Sequence, residues 1–150
     1  MEKFVWSDEY SVGIASDDEH HKKFFSIAND LIDLLNGENV TKEKLMSAVK
    51  RLVDYGVGHF KEEEAHFDLE NYRDAPQHIA AHDVFRKRTE RYVRALDEPD
   101  TDIQQLGSEI ATFSIYWLSD HILLVDKQYT IFLRNKDGDS LSHETGNETV

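Results

Sequence analysis

Apolar side chains recur every three or four residues along four separate segments of the chain, which is the period of an amphipathic helix. No segment alternates apolar and polar residues as a half-buried strand does. Four helices with short connections predict an all-α fold, an antiparallel up-down-up-down four-helix bundle. The four stripes are His21, Phe24, Phe25, Ala28, Leu31 and Leu35; Leu45, Val49, Leu52, Gly56, His59, Glu63 and Phe67; His78, His82, Phe85, Thr89, Val93 and Leu96; and Ile103, Leu106, Ile110, Phe113, Trp117 and His121.

Capping residues set the expected helix limits. The first helix should begin at Asp17 or Asp18, either of which could act as its cap, and end at Gly37. The other three should begin near Thr41, near Pro76, and at Thr101 with Gln104 in capping-box spacing.

The two ends of the chain lack this period. Residues 1–16 are rich in apolar side chains without helical spacing, so we expect an extended arm packed on the bundle. Residues 135–150 are polar, and we expect a frayed, flexible tail there. The predicted bundle domain is therefore 1–134, including the arm.

Composition narrows the classes of function. The chain has 150 residues, enough for one domain, and a net charge of −13 that argues against nucleic acid and anionic membranes as partners. There is no cysteine, which excludes disulfides, thiolate catalysis and Cys-type metal sites. No apolar run is long enough to span a membrane and no secretory signal is visible, so we expect a cytoplasmic protein.

Seven potential metal ligands lie on or beside the apolar stripes, where unpaired charge would be costly. Two residues that are four positions apart lie on the same side of a helix, so both can bind one metal ion. A metal pair in the bundle centre best explains the pattern, and histidine with carboxylate suits iron, zinc or manganese. The seven are His21, His59, Glu63, His78, His82, His121 and Asp126.

Asp126 is out of step with the stripe, because it follows His121 by five residues, about 140° around an ideal helix. It could reach the site from the flank of the stripe. Alternatively, the helix could widen to a π-type turn that brings the fifth position nearly underneath.

The other histidines and the glutamates beside Glu63 have plainer interpretations. We expect His20 at the solvent or bundle edge and His66 beside the site but not in it. Glu62 and Glu64 are each turned about 100° from Glu63, which predicts a solvated face.

Counting coordination positions predicts an open one. Five imidazoles, two bridging carboxylates and one bridging oxide or hydroxide fill all but about one of the roughly twelve positions of two six-coordinate metals. The stripes offer no polar pocket for an organic substrate and no general acid or base, so we expect a small apolar ligand.

Taken together, these residues resemble the hemerythrin family, in its single-domain bacterial form, bacteriohemerythrin. The resemblance covers about residues 4–132 and is specific in its combined spacings. It rests on Val5-Trp6, Tyr10-Ser11-Val12-Gly13-Ile14, Asp18-Glu19-His20-His21-Lys22-Lys23, His59-Phe60, Glu63-Glu64, His78, His82, Trp117-Leu118, His121-Ile122, Asp126-Lys127 and Tyr129. The chain departs from the family at Asp17, where an apolar residue is usual.

The resemblance implies two iron ions and reversible binding of dioxygen. It implies one iron on His78, His82 and His121, and the other on His21 and His59. Glu63, Asp126 and an oxo or hydroxo group would bridge the irons. By similarity, Trp117, Leu118 and Ile122 would line a dry dioxygen pocket.

We therefore expect a monomeric protein that stores, transports or scavenges dioxygen and is not an enzyme, passing oxygen to a protein acceptor if it has one. Two alternatives stay open: an oxygen or redox sensor acting through a separate partner, and a di-iron enzyme such as a peroxidase or a nitric oxide reductase. A structural zinc bundle is a weaker alternative.

Overall fold

The computed structural model describes residues 1–145, and it is helical throughout apart from the arm and the connections. No strand occurs in that part of the chain. The elements are a 3-10 turn (Asp8–Tyr10), α1 (Ala15–Asn36), α2 (Lys42–Glu70), α3 (Ala75–Asp97), α4 (Ile103–Asp120), a π-helical turn (His121–Asp126) and α5 (Lys127–Thr145).

These elements form the predicted four-helix bundle. α4, the π-helical turn and α5 follow without interruption and make up its fourth helix. α1 packs against α2, α2 against α3 and α3 against α4, and contacts between α1 and α4 close the ring. Connections of a few residues force each helix to run antiparallel to the one before it.

Glycines let the helices approach closely at two core positions. A methyl group on Gly56 would lie 2.9 Å from Phe24 and 3.0 Å from Phe85. On Gly107 it would lie 2.6 Å from a methyl of Leu35. Larger residues at either position would push these side chains apart and widen the bundle locally.

Gly37 caps the C-terminus of α1 as predicted, whereas one of the predicted N-caps is confirmed and two are wrong. The Thr41 hydroxyl accepts the N–H of Lys44 and caps α2 as expected. The cap of α4 is Asp102 instead of Thr101, whose hydroxyl donates to the carbonyls of Ala95 and Glu98 in the preceding turn. α1 begins at Ala15, earlier than predicted, after Ile14 as a cap without a side-chain hydrogen bond.

Asp18 and Asn29 instead hold the N-terminal arm on the bundle. The Asp18 carboxylate accepts the N–H of Val12, and Asn29 bonds both the N–H and the carbonyl of Phe4. The ring of Phe4 stacks on Phe25 with centroids 3.5 Å apart. The predicted packing of the arm is confirmed.

The predicted polar tail is partly helical. α5 continues to Thr145, so residues 135–145 extend the last helix instead of leaving it, and residues 146–150 of the predicted tail lie outside the described residues. Residues 135–145 have too few apolar side chains to form a stripe, so the sequence did not predict a helix there. A helix can nevertheless extend beyond the bundle without such a stripe. None of the described helices is long and apolar enough to cross a membrane.

Candidate metal centre

Three imidazoles from α3 and the π-helical turn converge inside the bundle. Nε2 of His121 lies 3.2 Å from Nε2 of His78 and 3.1 Å from Nε2 of His82, and all three side chains are buried. Adjacent nitrogen ligands around an octahedral ion with bonds of about 2.1 Å are about 3.0 Å apart. The three nitrogens therefore have the spacing of ligands to a single cation.

Two carboxylates lie next to these nitrogens. Oε1 of Glu63 is 3.0 Å from Nε2 of His78, and Oδ1 of Asp126 is 3.1 Å from the same atom and 3.0 Å from Nε2 of His121. Ligand atoms of Glu63, Asp126 and the three histidines all fit within 4.8 Å of one another. This cluster of five residues is the most compact part of the site.

The second oxygen of each carboxylate faces one of the two remaining histidines. Oδ2 of Asp126 is 3.2 Å from Nε2 of His21 on α1, and Oε2 of Glu63 is 3.6 Å from Nε2 of His59 on α2. The His21 and His59 rings meet edge to face with centroids 5.4 Å apart. The structure thus brings all seven predicted residues together, three histidines on one side of the carboxylates and two on the other.

Several buried polar atoms at the site have no hydrogen-bonding partner of acceptable geometry. They include both carboxylate oxygens of Asp126 and Oε2 of Glu63. Such atoms are costly inside a protein, and cations bound between carboxylates and imidazoles would satisfy them. The donor set of nitrogen and oxygen suits iron, zinc or manganese, so these residues fit a metal centre.

A π-helical turn brings Asp126 to the site. The turn spans His121–Asp126, and its wider repeat places a residue beneath the one five positions before it. Both side chains consequently point inward, with Oδ1 of Asp126 3.0 Å from Nε2 of His121. Of the two alternatives that the sequence left open, the widened turn is confirmed.

Burial and mutual proximity set the pKa values of the metal-free site. Burial and the neighbouring Asp126 raise the pKa of Glu63 to about 8. Burial alone would also raise the pKa of Asp126, but His121, His21 and His78 outweigh it and hold that pKa well below its ordinary value. The protonated form of Glu63 is thus favoured in the metal-free site, whereas the ionised form of Asp126 is favoured.

The pKa values of the histidines diverge for the same reasons. Burial lowers the pKa of His59 to about 4, and burial together with His121 and His78 lowers that of His82 to about 2. Burial also lowers the pKa of His78, but the carboxylates of Asp126 and Glu63, which lie 3.1 and 3.0 Å from its Nε2 atom, prevail and raise it to about 9.

Glu64 orients one of these imidazoles, contrary to the prediction of a solvated face. It lies 2.8 Å from Nδ1 of His82 and 2.8 Å from a guanidinium nitrogen of Arg86, which also bonds Asp83. The carboxylate of this long side chain reaches α3, where both of these partners lie. The adjacent pair Glu63-Glu64 was the available sequence signal.

Aromatic rings cover the three-histidine side. Phe60 stacks on His82 at 4.2 Å, and Trp117 stacks on His121 at 4.5 Å, each with the ring planes 13° apart. Leu118 and Ile122, the other two predicted pocket residues, are buried in the adjoining core. Their role in a dioxygen pocket stays a prediction.

The two-histidine side opens instead into a polar cavity of about 250 Å³. This corrects the expectation that no polar pocket exists, because residues off the apolar stripes converge where α1, α2 and α5 meet. Burial raises the pKa of Asp17 there, against the opposing effect of His21. The cavity is lined by Val12, Ser16, Asp17, His20, His21, His59, Glu62, Glu63, His66, Glu70, Asp126, Tyr129, Thr130 and Leu133.

Known proteins share this fold and much of this sequence. The family model described as "Hemerythrin HHE cation binding domain" matches residues 12–130. Bacteriohemerythrin of Clostridium acetobutylicum is 36% identical over 128 residues, which cover 84% of this chain and 98% of that protein. Bacteriohemerythrin of Pseudomonas aeruginosa strain PAO1 is 28% identical, covering 90% of this chain and 84% of that protein.

Solved structures agree with the sequence comparisons. A crystal structure of wild-type hemerythrin superposes with a TM-score of 0.73 at 27% identity, covering 85% of this chain and 95% of that one. A leucine-to-alanine mutant of hemerythrin gives a TM-score of 0.74 at 26% identity, with 87% and 96% covered. With a family match across most of the bundle and a relative above one-third identity over nearly its full length, the chain belongs to the hemerythrin family.

Proposed function

We propose that this protein binds dioxygen reversibly at a di-iron centre and serves in oxygen storage, transport or scavenging in the cytoplasm. The observation that carries the proposal is the position of Glu63 and Asp126 between two groups of histidines. Each carboxylate directs one oxygen to each group, at distances of 3.0 to 3.6 Å. That arrangement suits two cations that share both carboxylates.

Each side chain then has a specific role. His78, His82 and His121 would hold one iron, His21 and His59 the other, and Glu63 and Asp126 would bridge them. Because His21 and His59 are two ligands and the other group has three, an open position for a small ligand would be expected beside His21 and His59. When bound, the iron pair supplies the two electrons on which reversible dioxygen binding depends.

The protein's own contribution is to fix the ligands and exclude water on one side. The rings of Phe60 and Trp117 restrict His82 and His121 by stacking. Leu118 and Ile122 are 1% and 0% exposed, so they supply an apolar surface without hydrogen-bond donors or acceptors beside the centre. Where such an apolar surface faces bound dioxygen, it would favour release of dioxygen over protonation and loss of a reduced product.

A di-iron redox enzyme is the second candidate, and the polar cavity favours it. Asp17, His20 and His66 bring titratable groups toward His21 and Asp126. Reduction of peroxide or nitric oxide consumes protons, which such groups can relay. Histidine ligands outnumber carboxylates five to two in the proposed set, and this supports oxygen binding as the primary function.

An optical titration distinguishes the two. Iron-loaded protein would be reduced without air, exposed to dioxygen, and returned to an inert atmosphere. We expect a charge-transfer band that appears with dioxygen and disappears on its removal over several cycles. Irreversible oxidation in the first cycle, with turnover of hydrogen peroxide or nitric oxide, would contradict reversible binding and favour the enzyme.

A further inference from the structure

The polar cavity beside His21 and His59, which we name the vestibule, connects the site with solvent. Its outer part includes His20, Glu62 and His66, whose side chains are exposed. Its inner end includes His21 and Asp126, 2% and 5% exposed. An ion can therefore move through the vestibule from solvent to the proposed ligands without crossing the apolar core.

On the opposite side of the centre, aromatic rings of the described residues cover the histidines. His82 is stacked between Phe60 and Phe67, with ring centroids 4.2 Å and 6.4 Å away. Phe67 also packs on His78 at 4.6 Å, and both phenylalanines are 1% exposed. A hydrated cation approaching there would have to displace buried aromatic rings, which is costly.

The vestibule also has the charge that attracts cations. No Lys or Arg is among the described residues that line it. Glu70 is paired with Lys136, but Asp17 and Glu62 form no ion pair within the described part of the chain. Carboxylates focused in a cleft raise the local concentration of cations and their rate of association.

Polar atoms at the inner end lack partners. Nδ1 of His21 and both carboxylate oxygens of Asp126 are buried without a hydrogen-bonding partner. Between them and solvent, Asp17 interacts electrostatically with His21, Asp126, His20 and His66 together. His20 in turn lies edge to face with His59 at 5.6 Å. Oxygen and nitrogen donors thus continue from the mouth of the vestibule to the centre.

We propose that the vestibule is the route by which divalent metal ions load the centre. Asp17, His20 and Glu62 attract the ion into the vestibule, and His21 and Asp126 then take it over. The inference rests on the proposed function only in requiring that the centre holds metal, and it does not depend on dioxygen chemistry.

The rate of metal uptake tests the proposal. Metal-free protein would be mixed with Co²⁺, or with Fe²⁺ without air, and uptake followed by stopped-flow absorbance at low and high salt. We expect the double variant Asp17→Asn/Glu62→Gln to load roughly 10-fold more slowly at low salt, with a weaker salt dependence. Its final metal content should equal that of the wild type.

A matched control removes the same charge elsewhere. Glu43→Gln/Asp97→Asn neutralises one Glu and one Asp that are exposed and do not line the vestibule. This variant should load at the wild-type rate. Equal slowing of both variants would overturn the proposal, because the net charge of −13 would then be responsible.

The remaining outcomes are also decisive. A wild-type loading rate in Asp17→Asn/Glu62→Gln would overturn the vestibule route. So would a lower final metal content at an unchanged rate, because these residues would then belong to the centre itself. Failure of wild-type protein to take up metal would overturn the proposed function too, whereas failure to bind dioxygen reversibly after normal loading would overturn only that function.

Discussion

Glu64 accepts a hydrogen bond from Nδ1 of His82 at 2.8 Å, and the same carboxylate oxygen accepts one from Arg86 at 2.8 Å. An ionised carboxylate can only accept, so Nδ1 of His82 carries the proton. Nε2 is then left with its lone pair facing the other histidines of the site. The bond therefore selects the tautomer that a metal ligand requires.

Loss of this hydrogen bond should weaken metal binding. We expect Glu64→Ala to lower the affinity for metal about 10- to 100-fold, and Glu64→Gln, which can still accept a hydrogen bond, to lower it less. Competition with a chelator measures the affinity. Glu43→Gln on the same helix is the control and should bind as the wild type does. Equal affinity in Glu64→Ala and the wild type would show that packing against Phe60 and Phe67 is sufficient to orient His82.

Removal of a proposed ligand should lower the metal content. His82→Ala or His78→Ala removes one of the three imidazoles proposed to hold one cation, so we expect at most one metal per chain by elemental analysis. His66→Ala, at the mouth of the vestibule, should keep two. Two metals per chain in His82→Ala would contradict the ligand assignment.

The bundle and the inward-facing residues could be predicted from the sequence because both depend on helical period. Core positions recur every three or four residues along a helix. The four-residue spacing of His59 and Glu63, and of His78 and His82, therefore predicts that each pair faces the core. Asp126 could be placed only as one of two alternatives, since a π-helical turn has no distinctive sequence and depends on packing around it.

The features that were missed depend on side-chain reach and on contacts between helices. Glu64 is turned about 100° around α2 from Glu63. Its carboxylate nevertheless reaches His82 on another helix. The vestibule combines Asp17 from α1, Glu62 from α2 and Thr130 from α5, and no single helix carries its pattern. Thr101 was preferred over Asp102 as a cap because a one-residue choice depends on local geometry.

Metal binding should release protons near neutral pH. With pKa values of about 8 for Glu63 and about 9 for His78, both groups are mostly protonated at pH 7 in the metal-free protein. Both must lose the proton to bind a metal, so we expect about two protons released from them as the centre loads. Calorimetric titration in buffers of different ionisation enthalpy counts them. Release should fall toward zero above pH 9, and a pH-independent count would contradict these pKa values.

The stability of the metal-free protein should depend on pH in both directions. The pKa of His59 is lowered from 6.5 to about 4, so its contribution is full above pH 6.5 and is lost as pH falls through 4. The pKa of Glu63 is raised from 4.5 to about 8, so its contribution is full below pH 4.5 and is lost as pH rises through 8.

Bound metal should remove the alkaline part of this dependence, because it holds Glu63 ionised and His78 neutral. Urea unfolding at pH 5, 6.5 and 9 tests this. We expect metal-free protein to lose stability between pH 6.5 and 9 and metal-loaded protein to keep it. The same alkaline loss in both forms would show that groups outside the centre cause it.

Truncation of Leu118 should affect the centre beyond its effect on folding. Leu118→Ala removes apolar volume next to the π-helical turn, admits water to the predicted dioxygen pocket and should accelerate autoxidation of oxygen-loaded protein. Leu96→Ala is the matched control, because Leu96 is 0% exposed and Leu118 is 1% exposed. Each variant should lose about 2–5 kcal/mol of unfolding free energy. If the two variants autoxidise equally fast, general loosening of the core is responsible, and Leu118 does not form the dry wall of the site.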